Sequence, residues 1–133
     1  AKGKASEMFI YGRHGSTFGG NPLVTRVALS VLDVFEDDSI LDNVNEMSQY
    51  LEVQLKSKLI ECKVVKEIRI KGLMIGIELD ENSIDCSKLV QKALDEKLLI
   101  NITGNSIRML PPLIISKEEV NILIEKITKL INS

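Results

Sequence analysis

At 133 residues, 44% of them hydrophobic and 27% charged, the chain has the make-up of a folded globular piece and not of a disordered one. Seventeen Lys and Arg against nineteen Asp and Glu leave a net charge of −2, interspersed along the chain, so no basic footprint points to nucleic acid or an anionic membrane. No apolar run nears the roughly 20 residues of a membrane span and the start carries no signal-peptide core, so a cytoplasmic protein is expected, with Cys62 and Cys86 as free thiols and no metal site.

The first distinctive segment is His14-Gly15-Ser16-Thr17-Phe18-Gly19-Gly20-Asn21-Pro22. Glycines let backbone approach a ligand, Ser and Thr hydroxyls donate to phosphate oxygens, and a helix start adds N–H groups. Asn21 suits an N-cap and Pro22 the first helical position. The spacing fits neither a Walker loop nor a dinucleotide fingerprint, and such a turn on its own reads equally as a plain connector.

After Pro22, apolar residues recur at three and four from Leu23 to Phe35, broadly enough to predict a helix buried on more than one side. Glu36 to Ser39 breaks the pattern, with Ser39 as a cap for a second helix to about Leu59. Its stripe is Leu41, Val44, Met47 or Ser48, Leu51 and Leu55. β-branched residues from Val65 to Ile70 and from Leu73 to Leu79 then predict a hairpin-like pair bent at Gly72. Asp85 caps a third helix with Leu89, Val90, Ala93 and Leu94 on one face. A strand at Leu98 to Ile102, a turn at Thr103-Gly104-Asn105 and a strand from Ser106 to Met109 follow, the last ending before Pro111-Pro112. Ser116-x-x-Glu119 is a capping box for a final helix whose stripe runs from Val120 to Ile131. Met47, Met74 and Met109 read as core filler, and Gly72 and Gly76 as points of close backbone approach. The order α-α-β-β-α-β-β-α predicts an α/β two-layer sandwich, a small, mainly antiparallel sheet with helices packed on it.

Three blocks in order, Phe9-x-x-Gly12-x-His14 through Leu23, Lys71-Gly72-Leu73-Met74-Ile75-Gly76-Ile77-Glu78-Leu79, and Ile107-Arg108-Met109-Leu110-Pro111-Pro112-Leu113, resemble the class III, fold type I aminotransferases that use pyridoxal phosphate. The resemblance covers the whole chain but only the C-terminal third or so of such an enzyme. It implies a large-domain segment with the cofactor-phosphate loop at residues 1–21 and the C-terminal small domain at 22–133. It also implies that Thr17, with Ser16, contacts the cofactor phosphate of the neighbouring subunit of a homodimer. Arg108 is implied to meet a substrate carboxylate, where arginine alone would read equally as a surface ion pair.

No residue of this chain matches the family's Schiff-base lysine, so the resemblance implies no catalytic residue here, an inactive chain on its own and weak or no cofactor binding. The implied reaction moves the δ-amino group of N2-acetylornithine to 2-oxoglutarate in arginine biosynthesis. Ornithine, succinylornithine or 4-aminobutyrate is an alternative donor, and a free-standing, non-catalytic small domain is a further alternative. Arg13 and Tyr11 depart from the common residues of the loop, and His14 is expected to pack or hydrogen-bond locally.

Overall fold

The computed structural model describes residues 2–12 and 14–132, the side chain of Ser87 excepted; Arg13, one of the two loop departures, lies outside the described residues. Contacts divide the chain into two compact units, Ala1–Asp38 and Ser39–Ser133.

The first unit holds a 3₁₀ helix at Gly3–Met8 and helix α1 at Pro22–Asp37. Asn21 has extended backbone and its side chain accepts from the Val24 N–H at 3.0 Å, with Pro22 in the first turn, so α1 starts where its cap residues dictate. The apolar repeat forms the helix, but no α1 residue is buried: Leu23 is 74% and Leu32 59% exposed. The expected burial on more than one side is therefore absent in this chain. The stripe is apolar enough to be covered, and the described residues of its own unit offer one 3₁₀ helix besides.

The second unit contains α2 (Ile40–Leu59), β1 (Val65–Lys71), β2 (Met74–Leu79), α3 (Cys86–Asp95), β3 (Asn101–Thr103), β4 (Ser106–Met109) and α4 (Lys117–Ile131). The strands lie in the order β1-β2-β4-β3, every neighbouring pair antiparallel. On the helix side, α2 meets β1 and α4, α4 meets α3, and α3 meets β3. The architecture is the expected α/β sandwich of one open antiparallel sheet and one helix layer.

Alternation decides which side of the sheet is core. Ile75, Ile77, Leu79, Ile107 and Met109 are buried, against Leu51 and Leu55 of α2 and Val120, Ile124 and Ile127 of α4, which are buried as well. The Ile68–Ile77–Ile107–Ile102 row runs across all four strands on this side. Burial of this kind contributes on the order of 1.5–3 kcal/mol per large aliphatic side chain.

Two-residue turns join both hairpins. Gly72 lies at φ +55° between the paired Lys71 and Met74, and Gly104 at φ +58° between Thr103 and Ser106, the left-handed first position that such turns demand. Thr103 itself belongs to β3.

Several expectations are corrected. Ile40, not Leu41, enters the α2 core, with Met47 chosen over Ser48. Ser39 adopts left-handed backbone (φ 50°, ψ 40°) and makes no side-chain cap. Leu94 and Met74 are exposed, because helical and strand geometry turn both away from the core. The strand expected from Leu98 begins only at Asn101. Leu98 N–H instead donates to Ala93 C=O and Lys97 N–H to Leu94 C=O, with Lys97 at φ 56°, a helix-ending motif that consumes the residues the β-pattern claimed.

Candidate phosphate loop and carboxylate face

The loop before α1 is a turn in which Gly19 N–H donates to Ser16 C=O at 3.3 Å and Gly20 takes φ +88°. Ser16 and Thr17 stand side by side in it and both are exposed; the Thr17 hydroxyl has no hydrogen-bond partner among the described residues. Asn21 Nδ2 ties the turn's far end by donating to Phe18 C=O at 3.3 Å. The helix N-terminus is less available than expected. Asn21 Oδ1 occupies the Val24 N–H, Thr25 N–H donates to Asn21 C=O, and Pro22 has none, which leaves the Leu23 N–H. The donors left exposed in this loop are therefore its hydroxyls more than the helix end. His14 packs edge-on against Phe9 with ring centroids 5.0 Å apart, the local packing role expected of it.

Arg108 lies in the other unit, on β4. Its neighbours Ile107 and Met109 point into the core, so alternation sends Arg108 to the bare face of the sheet. It is exposed and has no ion-pair partner among the described residues. Downstream, Asn43 of α2 donates to Leu113 C=O at 2.8 Å and Ile115 C=O at 3.3 Å, which moors the Pro111-Pro112 segment to the helix layer. The strand carrying Arg108 is thereby held at its centre by β2 and β3 and at its end by α2.

The cross-strand row through Arg108 is Arg69–Gly76–Arg108–Asn101. Arg69, Lys71, Met74, Gly76 and Arg108 line a depression of about 270 Å³ on that face, which has three cationic side chains and no carboxylate in its lining. A larger surface hollow, around Glu81 to Cys86, is acidic and shares no lining residue with the depression at Arg108. Gly76 does not serve the close backbone approach expected of it, since a Cβ built there would find its nearest neighbour, Arg69 C=O, at 3.9 Å. It provides room. At Gly72 a Cβ would lie in ordinary contact, 3.4 Å from Val44 Cγ1, so the positive φ and not crowding is what asks for glycine there.

Arg69 was not singled out in the sequence. Its Nη1 donates to Glu78 at 2.8 Å and also to Glu67, and these bonds, to Glu78 first, push its already high pKa further up. The signal was present: a two-residue turn at Gly72-Leu73 pairs Arg69 with Gly76 by counting. Among the described residues no group of three His, Cys, Asp or Glu could hold a metal ion, and no helix is long and apolar enough to cross a membrane.

One unit thus carries a hydroxyl-bearing glycine turn before a capped helix, and the other an open-faced arginine on an antiparallel sheet under one helix layer. The chain matches the aminotransferase class-III family over residues 1–131 and belongs to it. It is 41% identical over 132 residues to acetylornithine aminotransferase 1 of Bordetella pertussis, covering 98% of this chain and 33% of that protein. It is also 41% identical over 130 residues to ornithine aminotransferase of Staphylococcus carnosus, covering 97% and 32%. A Toxoplasma gondii ornithine aminotransferase structure, described with partial occupancy of PLP at its active site, superposes with a TM-score of 0.82 at 33% identity, over 95% of this chain and 30% of that one. The chain thus spans about a third of the length of the relatives it matches. The family is one of pyridoxal-phosphate-dependent transferases of amino groups.

Proposed function

We propose that this chain is the C-terminal part of a cytoplasmic, homodimeric acetylornithine aminotransferase that moves the δ-amino group of N2-acetylornithine to 2-oxoglutarate in arginine biosynthesis. In this reading residues 1–21 are the large-domain-derived segment with the phosphate loop, and 22–133 the small domain. The observation that carries it is Arg108, exposed on the bare sheet face in a depression whose lining holds three cationic side chains and no carboxylate.

Thr17 Oγ1 and the Ser16 hydroxyl would hold the cofactor phosphate of the neighbouring subunit; exposed hydroxyls on a glycine turn fit such a group. Pyridoxal phosphate, when bound, supplies the electron sink for the amino-group chemistry. Arg108 presents a planar fork to a substrate carboxylate, fixing the reacting amine by position and not by proton transfer. No proton-moving group is assigned to this chain.

Ornithine as the donor is the second reading, favoured by the equal identity to an ornithine aminotransferase. The test is steady-state kinetics of the full-length enzyme carrying this segment. A kcat/KM for N2-acetylornithine about tenfold or more above that for ornithine supports the first reading, and the reverse order supports the second. In the same enzyme Thr17→Ala is expected to weaken pyridoxal phosphate binding by about tenfold or more, the worth of one hydrogen bond to a charged group. Unchanged affinity removes Thr17 from the phosphate site.

A further inference from the structure

We infer that the outer edge of β1 is a self-pairing surface, on which a second copy of this chain adds its own β1, antiparallel and centred on Ile68. The two sheets then run on as one across a two-fold axis. The occupant is a copy of this chain because the strand matches itself both in hydrogen bonding and in charge.

β1 ends the strand order, and among the described residues no strand pairs with its outer side. Lys71 and Met74 close a two-residue turn, so they exchange hydrogen bonds, and by alternation so do Arg69 and Gly76. The amides and carbonyls of Ile68 and Ile70 therefore point away from β2, into the open edge. In a two-fold pairing centred on Ile68, Ile68 meets Ile68 and Ile70 meets Lys66, so outward groups find outward groups. Registers centred between residues set outward groups against inward ones and lose these bonds. The irregularity at Lys66 falls at the end of the segment, and the Lys66 ammonium sits on Asp80 at 2.9 Å, so the lysine that would guard the edge is engaged within its own chain. Ile68 and Ile70 are only half-buried where Ile75 and Ile77 of the next strand are fully so, which marks the edge as short of cover.

Charge selects the centre. On the bare face β1 presents Glu67, Arg69 and Lys71, all exposed. Centring on Ile68 sets Glu67 of each copy against Arg69 of the other, in the non-hydrogen-bonded positions where side chains come closest. Centring on Glu67 opposes two glutamates, centring on Arg69 or Lys71 opposes two like cations, and centring on Ile70 sets Arg69 against Lys71. Among these centres only Ile68 avoids like charges. Arg69 donates from Nη1 to Glu67 and Glu78 of its own chain, which leaves Nη2 and Nε for the other copy's glutamate. On the helix side, Leu59, Ile60 and Val65 border a depression of about 330 Å³ beside Lys66 and Ile68, with Ile60 81% exposed. Ile70 of the second copy arrives opposite Lys66, at this depression, so the same apolar surface is covered on both copies by symmetry.

The paired segment is shorter than a standard interface, so the dimer is expected to be weak and concentration-dependent. Sedimentation of the 133-residue chain at concentrations up to about 1 mM measures it, and hydrogen exchange locates it. The Ile68 and Ile70 amides are expected to gain protection as the concentration rises, while those of Arg69 and Lys71, bonded to β2, are protected throughout. Charge reversal then tests the register. Glu67→Arg sets arginine against arginine and Arg69→Glu sets glutamate against glutamate, so each variant alone is expected to dimerise about tenfold more weakly. Mixing the two variants restores both opposite-charge pairs, and a heterodimer as tight as the dimer of the unaltered chain is expected. A chain that stays monomeric, a dimer that neither variant weakens, or a mixture no tighter than its components overturns the inference. A dimer whose Ile68 and Ile70 amides stay unprotected overturns it as well and assigns the contact to another surface, such as the exposed stripe of α1.

Discussion

Ser116 and Glu119 close the start of α4 by exchanging hydrogen bonds, the Ser116 hydroxyl accepting from the Glu119 N–H and the Glu119 carboxylate accepting from the Ser116 N–H at 2.9 Å. The Ser116 amide first, and its hydroxyl second, hold the Glu119 carboxyl below the ordinary carboxylate range. A group with a depressed folded pKa stabilises fully above its unfolded pKa, and that contribution is lost as the pH falls through the folded value. Glu96, lowered by Lys129, and Asp80, lowered by the Ser83 hydroxyl and then by Lys66, share that sign. The melting temperature is therefore expected to fall as the pH drops below about 4.5, and Glu119→Gln to make that acid-side slope shallower. Ser116→Ala is expected to cost about 1 kcal/mol at neutral pH by urea denaturation. Gly72 is a second sensitive residue. With φ +55°, Gly72→Ala is expected to lower the unfolding free energy by about 1–2 kcal/mol, read as a lower urea midpoint with an unchanged m value.

At the scale of elements, what was legible followed periodicity and what was not followed competition between local rules. The α4 capping box and stripe, the β1–β2 hairpin and the ends of β4 were readable because period, cap and turn residues agree there. Leu98 to Ile100 carry strand-like residues, but the C-terminal motif of α3 uses Leu98 first. Leu41 and Ile40 are interchangeable by composition, and only the pitch of α2 against the sheet chooses between them. Of the candidate residues, Thr17 and Ser16 in one unit and Arg108 in the other were marked by the motif blocks. Arg69 needed the register, a property of two strands and not of one. α1 shows the limit most plainly, since its apolar repeat is real and none of its residues is buried. A 16-residue helix rich in valine has little stability without tertiary support. Its amides are expected to exchange with solvent orders of magnitude faster than those of α2 and α4 in hydrogen-exchange measurements. Comparable protection would show that α1 is covered in solution.

For the molecule as a whole, the distribution of lysines bears on catalysis. A Schiff-base lysine needs a desolvated pocket that lowers its pKa. Every described lysine is exposed except Lys126, which is part-buried with its ammonium on Glu96 C=O. Incubating the folded chain with pyridoxal phosphate, reducing with borohydride and mapping the label by mass spectrometry is expected to give no stoichiometric modification of one lysine beyond a denatured control. Such a label would demand a self-contained catalytic site and would overturn the reading of this chain as inactive on its own.

The strand order β1-β2-β4-β3 has a consequence for synthesis on the ribosome. Strand β4 is the last to emerge, yet it occupies the middle of the sheet, between two strands made before it. Until it arrives, β2 presents a bare hydrogen-bonding edge to whatever lies nearby, an invitation to pair with another nascent chain. A ribosome stalled just after Thr103 would hold a protein with two unjoined halves of a sheet, and the row that brings Arg69 to Arg108 would not yet exist. Completion of the four-stranded sheet and protection against misassociation are thus one event, timed by the release of Ser106 to Met109.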